Sequence, residues 1–98
     1  MNQYLLDVKL PDELTEEFIS LIPKQRMMVN ELLTKGVILS YALARDRSRL
    51  WVVIQAKSEK EVNKLITTFP LAKYMKSKIH ELAFNEQLSN SISILSLN

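Results

Sequence analysis

The run NQYLLDVKL (Asn2–Leu10) decides the fold, because its side chains alternate along a strand. Tyr4, Leu6, Val8 and Leu10 fall on one side, and Gln3, Leu5, Asp7 and Lys9 on the other. The first set is what a helix layer covers; the second is mixed, as expected of a surface that meets a cavity or a partner. Pro11 closes the strand, since proline cannot donate to a ladder. Beyond it, Leu14, Phe18, Leu21, Gln25, Met28 and Leu32 form one face of an amphipathic helix over Glu13–Lys35. Gly36 supplies the left-handed stop. Pro23 lies inside this pattern and is expected to kink or break the helix within Ile22–Lys24.

Further strands follow at Val37–Arg45 and Arg49–Lys57, joined through the polar turn Asp46-Arg47-Ser48 as a hairpin. In the first of these, Val37, Leu39, Tyr41 and Leu43 alternate with Ile38, Ser40, Ala42 and Ala44. In the second, Leu50, Val52, Ile54 and Ala56 oppose Arg49, Trp51, Val53 and Gln55. Ser58 and Glu61 have capping-box spacing and open a helix over Ser58–Phe69 with the stripe Val62, Leu65, Ile66 and Phe69. Pro70 helps to close it, and a last strand is expected near Lys76–Phe84. The order βαββαβ is that of a split-βαβ, ferredoxin-like α+β domain, an antiparallel sheet with helices on one face. The domain is expected over residues 1–88. The tail 89–98, with Ile92 and Ile94 alternating with serines, reads either as an extra or exchanged strand or as a frayed end.

A chain of 98 residues supports one core, and a second subunit would add burial, so a homodimer or larger homo-oligomer is expected. There is no cysteine, which removes disulfides, thiol nucleophiles and thiolate metal sites and tilts the expected location to the cytoplasm. The N-terminal residues do not read as a signal peptide, and no apolar run has the length of a membrane span. Net charge is +2, too little to argue for nucleic acid. Arg45, Arg47 and Arg49 read as a solvated turn, and Lys73, Lys76 and Lys78 as a solvated strand edge.

The chemistry is written less openly. A single glycine excludes glycine-rich phosphate or dinucleotide loops. The one histidine, His80, has no metal-ligand spacing around it, and no serine sits in a GxSxG setting. By strand alternation the uncovered sheet face gathers Gln3, Asp7, Lys9, Tyr41, Arg49, Trp51, Gln55, Lys78 and His80. On it, Asp7 or His80 can move a proton, Lys9 or Arg49 can hold a carboxylate, and Tyr41 and Trp51 can wall a pocket. The same residues equally describe a polar dimer interface with no ligand.

Three runs, VKLP at Val8–Pro11, the stop at Gly36 and FPLAKYM at Phe69–Met75, make the chain resemble the muconolactone isomerases. The resemblance spans nearly the whole chain in length and element order. It implies subunits that pair their sheets into a dimeric α+β barrel. It also implies a proton-transfer isomerisation of a small unsaturated lactone or organic acid with no metal or organic cofactor. Lys9 and Tyr74 match the family's pattern. Gln3 and Leu5 stand where that pattern has His and Lys, Lys24, Gln25 and Met27 where it has acidic residues, and Asp46 and Leu50 near its Gly and Asn. The departures leave Asp7 or His80 to act as the base. The alternative is a non-catalytic small-molecule-binding or assembly module on the same scaffold.

Overall fold

The computed structural model describes residues 1–86; the extra strand expected at 89–98 lies outside them. The elements are β1 (Asn2–Lys9), α1 (Glu16–Thr34), β2 (Ile38–Leu43), β3 (Arg49–Ala56), α2 (Glu59–Thr67), a 3-10 turn (Ala72–Tyr74) and β4 (Lys76–Glu81). The four strands form one antiparallel sheet in the order β2-β3-β1-β4. This is the βαββαβ architecture that the alternation predicts.

The covered face is set by β1 and β3, whose apolar alternation is strict. Tyr4, Leu6, Val8 and Leu10 are buried, as are Leu50, Val52, Ile54 and Ala56, and Phe18, Val29, Val62 and Phe69 complete the core from the other layer. Each fully buried Leu, Ile or Val contributes roughly 1.5–3 kcal/mol by leaving water. That burial, and not helix propensity, holds α1 and α2 against the sheet.

Local signals fix where each helix starts and stops. The Thr15 hydroxyl accepts from the Phe18 N–H at 3.1 Å and caps α1. The Ser58 hydroxyl accepts from the Glu61 N–H at 3.2 Å and caps α2, at the position the capping-box spacing indicates. Gly36 ends α1 at φ 75°, where its N–H donates to Leu33 and the next N–H, of Val37, to Leu32. Pro23 does not break α1, which runs unbroken from Glu16 to Thr34. It is exposed and lies next to exposed positions, so water reaches the side of the helix that lacks a donor.

One irregularity matters for function. β2 and β3 pair Ile38 with Ile54 but Ser40 with Val53, so Leu39 is an extra residue, a β-bulge. Beyond it the alternation of β2 inverts. Ile38 shares the covered side with Ile54, yet Tyr41 and Leu43 pair with Val52 and Leu50 and share that side too. Tyr41 therefore lies on the covered face, not on the uncovered one where uninterrupted alternation puts it. Ser40 and Ala42 take the uncovered face beside Val53 and Trp51.

Candidate functional site

Two surfaces can carry chemistry, and the sheet separates them. The uncovered face is a grid fixed by strand register. Its end rung is Arg49–Lys9–Lys76, the next Trp51–Asp7–Lys78, and the third Val53–Leu5–His80. Eight of the nine residues singled out by alternation thus share this face: Gln3, Asp7, Lys9, Arg49, Trp51, Gln55, Lys78 and His80. Asp7 Oδ1 accepts from Arg49 Nη1 at 2.9 Å, an ion pair open to water and so of small energetic value. His80 is exposed, one rung along from Asp7 on the neighbouring strand. Trp51 is 38% exposed beside the buried Val53, which leaves an apolar centre in an otherwise charged surface.

The second surface is a cavity of about 270 Å³ between α1 and the covered side of the sheet. Phe18, Ile22, Gln25 and Arg26 line it from α1, Tyr41 and Leu43 from β2, Leu50 from β3, and Leu71 and Met75 from the connection before β4. Leu10, Leu14 and Arg47 complete the wall. The lining is mainly apolar with a few convergent polar groups, the usual composition of a small-molecule site.

Its polar geometry turns on Gln25, among the described residues the one polar side chain buried in the core, at 3% exposure. Its Oε1 accepts from the Leu71 backbone N–H at 3.2 Å, and its Nε2 donates to the Tyr41 hydroxyl oxygen at 3.3 Å. One amide thereby ties α1 to β2 and to the α2–β4 connection. Because the Tyr41 oxygen accepts from Gln25, its own proton is left to point elsewhere. Burial pushes the Tyr41 hydroxyl above its ordinary pKa, outweighing the opposing bond from Gln25, so the group stays protonated at neutral pH and serves as a donor.

Arg26 and Arg47 are exposed and stand with exposed Leu14 and Leu43 at the open end of this cavity, while Leu10, Phe18, Gln25, Leu50 and Leu71 form its floor. Arg47 belongs to the β2–β3 turn and has φ 64°, a left-handed conformation. The Asp46 carboxylate locks that turn by accepting from the Ser48 N–H at 3.0 Å and the Ser48 hydroxyl at 2.6 Å. Those bonds hold the Asp46 carboxyl below its usual range. Gln25 was visible in the sequence only as a polar residue on an apolar stripe, and Arg47 only as part of a solvated turn. Arg26 carried no signal.

Among the described residues, no cluster of His, Asp or Glu has the makeup of a metal site, and no helix is long and apolar enough to cross a membrane. A four-stranded antiparallel sheet in the order β2-β3-β1-β4, covered on one side by two helices with a small pocket under the longer one, defines a two-layer, ferredoxin-like α+β domain. The chain belongs to the muconolactone delta-isomerase family, whose model matches residues 3–87. A crystal structure of muconolactone isomerase at 3.3 Å resolution superposes with a TM-score of 0.69 at 16% identity. The match covers 87% of this chain and 92% of that one. At that identity the likeness establishes the fold and not the reaction. No curated protein matches the chain.

Proposed function

We propose that this protein binds a small unsaturated lactone or organic acid in the cavity beneath α1, and that its uncovered sheet face pairs with that of a second copy. The observation that supports the binding role is the Gln25–Tyr41 pair. A buried amide fixes a protonated hydroxyl whose donor is free, inside an apolar pocket of small-metabolite size. A carbonyl or lactone oxygen is the natural acceptor for it. Family membership supports the ligand class. The half-exposed Trp51 beside Leu5 and Val53 supports pairing of the sheets, since burying that apolar centre stabilises a dimer.

Proton transfer is the second reading, favoured by the family's own reaction. No carboxylate or imidazole lines the cavity, so a base there is missing among the described residues. Asp7 and His80 lie on the other face, where a paired sheet would enclose them together with Lys9, Arg49 and Trp51. In that arrangement Asp7 or His80 moves the proton, Lys9 or Arg49 holds the carboxylate, and Trp51 walls the site. The binding reading stands first because Asp7 is already held by Arg49.

Both readings are separated by one NMR experiment with muconolactone in deuterated water. Ligand-induced shifts at Tyr41, Gln25 and Leu71 without deuterium incorporation establish binding in the cavity. Incorporation that Asp7→Asn or His80→Gln abolishes, with the fold intact, establishes catalysis on the uncovered face. Neither response refutes both. Sedimentation of wild type against Trp51→Ala tests pairing, and an unchanged mass would count against it.

A further inference from the structure

The arginines at the open end of the cavity have a consequence for what it selects. Arg26 comes from α1 and Arg47 from the β2–β3 turn, so two separate elements each contribute an arginine to the lining of one apolar pocket. Among the described residues, no Asp or Glu lines that pocket. The ion pairs among the described residues are Arg49–Asp7 and Lys73–Glu17, and neither involves Arg26 or Arg47. Two cations facing a low-dielectric cavity with no internal counter-charge attract an anion from solution.

The backbone adds an independent reason. Arg47 adopts φ 64° although it is not glycine, and left-handed geometry is unfavourable for a residue with a long side chain. Asp46 and Ser48 enforce it through their bonded turn. A glycine there would relieve the backbone, but it would bring no guanidinium to the pocket's edge. Strain kept at a site's edge points to a role for the side chain that bears it.

Resting on the cavity reading above, we propose that Arg26 and Arg47 are the specificity-determining residues of this site and select ligands bearing a carboxylate. The ligand then lies with its carboxylate at the rim between the guanidinium groups. Its unsaturated body contacts Phe18, Leu50 and Leu71, and an oxygen at its inner end accepts from the Tyr41 hydroxyl. This orientation predicts strong discrimination between an acid and its neutral ester, because guanidinium–carboxylate hydrogen bonds are charge-assisted. It also assigns a function to an arginine group that the sequence presents only as a solvated turn.

The test titrates two probes, muconolactone and its methyl ester, against the full chain by isothermal calorimetry and amide NMR shifts. The variants are Arg26→Met, Arg47→Gly, their combination, and Tyr41→Phe. Arg47→Gly removes the guanidinium at a position where glycine is favoured, so loss of folding does not confound it. Wild type should prefer the acid by about tenfold or more, the size expected of charge-assisted bonds. The double variant should bind acid and ester alike, with ester affinity unchanged, while Tyr41→Phe weakens both probes equally. An acid preference that survives in the double variant overturns the proposal and leaves the cavity reading standing. Absence of any shift at Gln25, Tyr41 or Leu71 with either probe overturns the cavity reading and the proposal together.

Discussion

Replacing Gln25 by leucine probes the junction on which the cavity depends. The two side chains are similar in size, so packing of α1 on the sheet is largely kept, while both hydrogen bonds are lost. The Leu71 N–H is left buried without its acceptor, since its bond to Gln25 Oε1 lies in the interior at 3.2 Å. An orphaned buried donor costs about 1–3 kcal/mol. Tyr41 loses a partner as well, but its hydroxyl lines the cavity and can turn to water or ligand, so this adds only about 0.5 kcal/mol. Leucine recovers part through its more favourable burial, about 1 kcal/mol. The net expectation is a loss of about 1–2 kcal/mol. In a domain of this size that lowers the melting temperature by roughly 4–15 °C. Equilibrium urea unfolding followed by Trp51 fluorescence measures it, with Tyr41→Phe and the double variant closing a thermodynamic cycle. In the cycle, Tyr41→Phe should cost less in the Gln25→Leu background than alone, because the bond between them is already gone. A Gln25→Leu midpoint equal to wild type would refute the claim that this amide anchors the α2–β4 connection. Strict additivity would refute the Gln25–Tyr41 coupling.

Other features yield further expectations. Lys76 faces Lys9, which faces Arg49, so Lys76→Glu replaces a like-charge neighbour with an opposite one. It should stabilise by about 0.2–1 kcal/mol in low salt and much less near 1 M salt, as thermal melts at the two ionic strengths would show. Gly36→Ala should cost about 1 kcal/mol, because φ is 75° while the added Cβ meets nothing within 4 Å, making the penalty one of backbone alone. An unchanged midpoint would mean that the left-handed stop contributes nothing. Burial raises the Tyr41 pKa above 10.0, so its stabilising contribution is complete below about pH 10 and is lost as pH rises through the raised value. Tyr41→Phe should therefore lose less stability than wild type in that alkaline window; parallel curves would contradict the burial.

What the sequence disclosed and what it withheld divide along physical lines. The faces of β1 and β3 were legible because apolar and polar residues alternate there without interruption, and Ser58 with Glu61 marked the start of α2 by local chemistry alone. The family was legible in VKLP, Gly36 and FPLAKYM. The interior of β2 was not, because Ile38 and Leu39 are both apolar and either can face the core. Nothing local marks the bulge between them, and Tyr41 was placed on the wrong side as a result. The cavity was hidden for a different reason. Gln25 meets Leu71 and Tyr41 only after the chain has folded back twice, and no periodicity within a single element records that meeting. Of the kink or break expected at Pro23, the break does not occur, since the cost of the missing donor depends on which side of the helix water reaches.

The extra residue at Leu39 acts on β2 as a shifted reading frame acts on a message. Everything downstream keeps its order but exchanges its meaning, inside for outside. Were Leu39 to pair with Val53 instead of bulging, every later residue of β2 would slide by one place and Tyr41 would oppose Trp51 on the other side of the sheet. Deleting Leu39, by contrast, would leave Tyr41 opposite Val52. The bulge alone, at constant sequence, therefore decides which side of the sheet carries this aromatic hydroxyl. Between relatives as distant as this chain and the solved isomerase, residues of the second strand correspond in role only where both carry the same bulge. Matching them position by position without that check pairs a wall of one site with the exterior of another.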